Sequence, residues 1–315
     1  HQETPEAKSI VRQHEITEGK AIGHIACFIA YAIFGINIIV CKDLTSSNLF
    51  TPTTLFFIRS LGASLLFWSI SLFTPKEHVE KKDLFKIFMA SVLGFFITQI
   101  TFLMAIPEIT PMDCSIVSSL SPIFTMFIAA YTLKEPITWR KTGGVLLSFL
   151  GIIYLITNSS QRAGAATQTN LTGILLMIAN GLSFALYLGI FKPLIQKYSV
   201  ITFTKWIFLF ATLLTLPWGA SELATFDTNR LTTTYLRELT FLIVCATFIT
   251  YFLIPIGQKR IRPTLVSMYS YLQPIIAVAI SIYVGMDLLT WQKTLAALMV
   301  FAGVIIVNYS RSAKS

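Results

Sequence analysis

The stretch "SSLSPIFTMFIAAYTLKEPITWRK" (residues 118–141) returns as "SYLQPIIAVAISIYVGMDLLTWQK" (residues 270–293), 152 positions further along a 315-residue chain. Each copy reads as an apolar helix, a short loop and the start of a second helix. Aligned without gaps, residues 109–156 and 261–308 share about 17 identities over about 48 positions, well beyond the match between two unrelated apolar helices. The shared core is S-x-x-S-x-L-x-P: Ser115, Ser118, Leu120 and Pro122, then Ser267, Ser270, Leu272 and Pro274. Trp139 and Trp291 follow at matching places, and fainter echoes pair Gly23 with Gly173 and Lys42 with Lys192. Five helices occur twice.

The aligned loops exchange charge. Lys134, Arg140 and Lys141 stand opposite Met286, Gln292 and Lys293, while Pro107, Glu108 and Thr110 stand opposite Lys259, Arg260 and Arg262. Cytoplasmic loops of membrane proteins are enriched in Lys and Arg, so matching loops with opposite charge are expected on opposite sides of a bilayer. An odd number of spans per copy requires the second copy to be inverted.

Composition agrees with a membrane setting. The chain is 54% hydrophobic and only 12% charged, where a soluble domain has about 25% charged residues. Apolar runs of about 20 residues recur, each long enough to cross a hydrocarbon core of about 30 Å as a helix. The runs are continuous rather than alternating, which excludes a β-barrel. Ten spans are predicted at roughly 21–41, 53–73, 84–106, 112–133, 140–157, 170–191, 200–219, 237–258, 263–284 and 290–309. The expected fold class is all-α integral membrane, in two inverted five-helix repeats around a central cavity. Residues 1–19 read as a solvated tail, residues 20–158 as the first repeat and residues 169–310 as the second. The tails and even-numbered loops carry about 17 Lys and Arg against about 5 in the odd-numbered loops, which puts both termini in the cytoplasm.

The net charge of +9 is a loop property of this kind and gives no reason to expect nucleic acid. Cys27, Cys41, Cys114 and Cys245 lack paired spacing, so neither a disulfide framework nor a metal site is expected. HExxH, P-loop and Ser-His-Asp patterns are missing, so no catalytic residues and no cofactor are assigned. No carboxylate stands in the middle of a predicted span, which leaves a simple proton relay without a carrier.

The run "LSPIFT…Y…LKEPITWRKTGG…LSFLGIIY" that closes the first half resembles the EamA family of the drug/metabolite transporter superfamily, with Lys134, Glu135, Pro136 and Trp139 as its most recognisable segment. The second half departs, with Asp287-Leu288 in place of Glu135-Pro136 and Leu295-Ala296 in place of Gly143-Gly144. The resemblance covers nearly all of residues 20–310. It implies a basket of helices with the fifth and tenth at the periphery, and a cavity lined by the first, third, fourth, sixth, eighth and ninth. It says little of the solute, since such proteins carry amino acids, other metabolites and drugs.

Polar residues on those spans are the candidate site. Gln99 on the third span and Tyr251 on the eighth occupy equivalent positions, as do Asn37 on the first and Tyr187 on the sixth. Ser118 shares a face with Ser115 and Pro122, and Ser270 with Ser267 and Pro274, by i, i+3, i+7 spacing. Tyr269 and the bulky Gln273 lie on an adjoining stripe. The substrate-binding candidates are therefore Asn37, Gln99, Ser118, Tyr187, Tyr251, Tyr269, Ser270 and Gln273. Close helix packing and interhelical hydrogen bonding compete with that reading, most strongly for the serines. Pro122 and Pro274 free backbone carbonyls and are structural or gating candidates. Arg59, a charge inside the second span, and Glu108 are also structural or gating candidates, with Glu108 or Asp113 as the expected partner of Arg59.

The expected function is a secondary transporter of small organic metabolites, an exporter or facilitator in a bacterial cytoplasmic membrane. A cavity of Asn, Gln, Ser, Thr and Tyr suits neutral or zwitterionic solutes such as amino acids. The expected partners are the metabolite and the surrounding lipid, with the chain acting as a monomer. A passive channel, or an intramembrane enzyme or lipid scramblase on the same scaffold, are the alternatives.

Overall fold

The computed structural model describes residues 5–132, 134, 136–159, 169–260, 269 and 272–312, and every regular element among them is helical. Helix α1 covers Pro5–Ser46 and α2 Pro52–Ser71. Helix α3 covers Lys81–Glu108, with a π-helical segment at Val92–Ile97 and a 3-10 turn at Ile106–Glu108. Helices α4 (Pro111–Ser118) and α5 (Ser121–Thr132) share the predicted fourth span. Then come α6 (Trp139–Ser159), α7 (Leu171–Lys197) and α8 (Val200–Ala224). Helix α9 runs through Thr233–Thr240, a π-helical Phe241–Ile249 and Thr250–Arg260, followed by α10 (Leu272–Tyr283) and α11 (Trp291–Ser312). Among the described residues, seven helical stretches are long and apolar enough to cross a membrane, and two shorter apolar helices join them.

Local chemistry explains several boundaries. Pro52 and Pro111 occupy first-turn positions where no N–H is needed, and the Thr51 and Thr110 hydroxyls cap Thr54 and Asp113. The break between α4 and α5 falls three residues before Pro122, which has no N–H for the Ser118 carbonyl. Pro122 therefore opens a new helix instead of kinking an old one. At the N-terminus the helix starts well before the predicted 21–41 span. Residues 5–20 continue the same helix with Ile10, Val11 and Ile16 at least half exposed.

The packing pattern repeats between the halves. Helix α1 packs on α9 and α10, and α7 packs on α3 and α5. Helix α2 packs on α8, and α6 on α11. In the last pair, Gly144 lies against Gly303 and Gly151 against Ala296, while the Ser148 hydroxyl donates to the Val300 carbonyl at 3.1 Å. Partner numbers fall as position rises, so α6 and α11 run antiparallel. Small residues let the two backbones approach closely, as in membrane helix pairs.

Candidate functional site

Two π-helical segments, Val92–Ile97 and Phe241–Ile249, lead into the candidate site. A threonine hydroxyl reaches the carbonyl five residues back just after the first, Thr98 to Leu93 at 3.2 Å, and within the second, Thr247 to Leu242 at 2.7 Å. Such wide turns shift the register of the side chains that follow and recur at functional sites. Gln99 and Tyr251 follow them, and Gln99 Nε2 donates to the Tyr251 hydroxyl at 3.4 Å. These two sequence-predicted residues meet directly.

Arg59, two turns into α2, is 1% exposed and enters the same network. Its Nε donates to Thr247 Oγ1 at 2.6 Å, its Nη2 to the Ala246 carbonyl at 3.2 Å and its Nη1 to Gln99 Oε1. Among the described residues no carboxylate forms an ion pair with it. This corrects the expected pairing with Glu108 or Asp113. Glu108 accepts from Asn170 Nδ2, and Asp113 accepts from Thr169 Oγ1 and pairs with Lys293 at 3.3 Å. Both carboxylates stand where α3 and α4 meet, and the segment entering α7 and the start of α11 supply nearer partners.

Tyr187 and Tyr251 line one cavity with Gly94, Phe95, Phe203, Thr204 and Ile207. Its water-accessible space is about 30 Å³, room for a water or two. The Tyr187 ring lies directly over Gly94, where any Cβ would overlap it. Phe95 and Phe208 stack edge-on to Tyr251, with ring centroids 5.9 and 5.4 Å away. The structure thus links the buried Arg59 through the half-buried Gln99 to the half-buried Tyr251, which shares a cavity with Tyr187.

The other predicted residues stand apart from it. Asn37 is buried and accepts a weak S–H bond from Cys41 at 3.7 Å. The Ser118 hydroxyl donates to the Cys114 carbonyl of its own helix at 2.8 Å, as Ser115 does to Met112 at 2.7 Å. Tyr269 shares a 2.7 Å hydrogen bond with His24 near the N-terminal end of the α1 span. The Gln273 backbone lies against Gly35 of α1. Pro274 is buried near the start of α10, and Ser267 and Ser270 lie outside the described residues.

A second polar cluster closes one end of the bundle. Lys293 Nζ sits 2.7 Å from Asp287 Oδ1 and 3.3 Å from Asp113 Oδ1, with all three residues at least nine-tenths buried. Lys42 donates there to the carbonyls of Ile106 at 2.8 Å and Ile109 at 2.9 Å, closing the end of α3. A cation at a helix C-terminus satisfies carbonyls that the helix leaves open. Sequence reasoning missed this cluster and missed Thr247. The available signal was a lysine and an acid retained in both copies of the loop, Lys141 with Lys293 and Glu135 with Asp287, where Lys134 and Arg140 gave way to Met286 and Gln292.

Residues 21–157 and 171–309 each match the model of the EamA-like transporter family. The chain belongs to that family. Over 298 residues it is 23% identical to the uncharacterized inner membrane transporter YicL of Salmonella typhimurium, covering 91% of this chain and 95% of YicL. An uncharacterized transporter of Archaeoglobus fulgidus is 28% identical over 160 residues, 51% of this chain and 54% of that protein, so here the chain spans about half its relative. The S-adenosylmethionine/S-adenosylhomocysteine transporter of Chlamydia muridarum is 23% identical over 128 residues, 40% of each chain. A crystal structure of 14% sequence identity superposes with a TM-score of 0.61 over 95% of this chain and 99% of its own, which establishes likeness of fold. The EamA protein described here is a multi-pass membrane protein of a transporter family.

Proposed function

We propose that the chain is a secondary transporter that moves small organic metabolites by alternating access. It would act as an exporter or facilitator in a bacterial cytoplasmic membrane, with both termini in the cytoplasm. The reading takes the chain as ten spans in two inverted five-helix halves, residues 20–158 and 169–310, with the solute bound between them. The observation that carries it is the hydrogen-bonded chain from the buried Arg59 through Gln99 to Tyr251, beside the cavity that Tyr251 shares with Tyr187. Gln99 belongs to one half and Tyr251 to the other, so a solute held there touches both moving parts. Transporters of inverted-repeat design bind their solutes at such a midplane junction.

The paired helix contacts and the antiparallel approach of α6 and α11 support the inverted halves. Hydrogen-bonding groups at the cavity favour neutral or zwitterionic solutes such as amino acids. The name of the Chlamydia muridarum relative agrees, because S-adenosylmethionine carries an amino-acid end. Uptake of labelled amino acids into proteoliposomes tests the reading: saturable uptake supports it, and equal uptake by empty liposomes rejects it.

A further inference from the structure

We infer that Arg59 receives a carboxylate of the transported solute, so that the cargo is a carboxylate-bearing metabolite and not an uncharged one. This rests on the transporter reading above and deepens it.

A guanidinium within a membrane span is costly and is ordinarily paired with an acid or exposed to water. Arg59 is fully buried, and its bonding partners are an amide oxygen, a hydroxyl and a backbone carbonyl. Those groups solvate the cation, and among the described residues no acid compensates its charge. The other lysines toward that end of the bundle are already engaged, Lys42 by carbonyls and Lys293 by Asp113 and Asp287. A structural role alone would be met more cheaply by a neutral side chain. A free positive charge in a closed site is what an arriving anion would neutralise.

The geometry suits a carboxylate in particular. The bonds to Thr247, Gln99 and Ala246 use one hydrogen on each guanidinium nitrogen, three of its five N–H groups among the described residues. One hydrogen remains on each terminal nitrogen, and a guanidinium with two N–H groups to spare can donate both to one carboxylate. A dianionic phosphate would call for several cations, and among the described residues this site offers one. Gln99 is the pivot, because its Oε1 holds the position on Nη1 that a solute oxygen could share. Its Nε2 reaches on to Tyr251 and the cavity. The cavity holds a water or two, so a metabolite would enter only if the helices around it part.

Thermal unfolding of the purified full-length chain tests this without reference to transport. The probes are amino acids, 2-oxo acids and short fatty acids, each beside its own carboxamide. A carboxylate should raise the unfolding temperature while its carboxamide does not. Gln99→Glu places a carboxylate against Arg59 with almost no change of shape. It should raise the unfolding temperature of the unliganded protein and abolish the response to added carboxylates. Arg59→Gln should weaken any carboxylate response at least ~10-fold in apparent affinity. Carboxamides that act as well as the acids, no response to any acid, or a Gln99→Glu protein that is less stable or still responds would each overturn the assignment. A chain that binds carboxylates but moves none would keep this assignment and lose the transport reading.

Discussion

Gln99 and Tyr251 stand 152 positions apart and share a hydrogen bond of 3.4 Å, the same interval that separates the two copies of the repeated phrase. Each residue is thus the counterpart of the other, and the bond joins the halves where they meet. If the bond belongs to the binding site, removing the phenol should be felt in affinity more than in folding. Tyr251→Phe should weaken apparent affinity for a transported solute by ~10-fold, the equivalent of roughly 1.4 kcal/mol. Ser118→Ala should leave affinity unchanged, because that hydroxyl is already committed to the Cys114 carbonyl. Flux titrations on the two variants in proteoliposomes provide the comparison.

The Asp113–Lys293–Asp287 cluster predicts a stability effect. Lys293→Met would leave two buried carboxylates without their cation, a change that typically costs about 3–5 kcal/mol. Adding Asp113→Asn and Asp287→Asn should recover much of that loss. Thermal unfolding in detergent would show it, and a triple variant no more stable than Lys293→Met would mean the lysine acts by packing.

Gly94 carries a steric prediction. A methyl group there overlaps the Tyr187 ring, so Gly94→Ala must displace the ring or the helix. A destabilisation of about 1–3 kcal/mol is expected, as for other overpacked sites. An unchanged unfolding temperature would mean that the ring swings aside freely.

Topology is the fourth prediction. In a variant lacking Cys27, Cys41, Cys114 and Cys245, a cysteine replacing the exposed Leu288 should react with an impermeant thiol reagent on intact cells. One replacing the exposed Ile137 should react only after permeabilisation. Labelling of Ile137→Cys from outside would contradict the inverted arrangement.

The parts of the fold that depend on apolar length were plain from the sequence. The predicted 53–73 and 140–157 spans lie within two residues of α2 and α6 at every boundary. Pro122 marked the fourth span, though not that the helix would stop and restart there. The helical start at Pro5 was hidden because a polar segment shows no apolar period, even with good helix formers such as Glu, Ala and Lys. The π-helical turns were hidden for another reason: over one or two turns, their side-chain spacing blurs into that of an α-helix. Arg59 stood out as a charge in an apolar run, but its partners did not. The nearest acids by depth, Glu108 and Asp113, were taken by Asn170, Thr169 and Lys293, groups far away in sequence. The equivalence of Gln99 and Tyr251 was legible because the repeat itself gave the correspondence, but their bond to each other was not.

Counterflow tests the central claim most directly. Proteoliposomes loaded with an unlabelled amino acid would be diluted into a trace of the same labelled solute. An alternating-access carrier predicts transient accumulation of label above its outside concentration, saturating with solute and reduced in Arg59→Gln. Label that only equilibrates, at a rate proportional to concentration and indifferent to the solute inside, would show a passive pore and contradict the account.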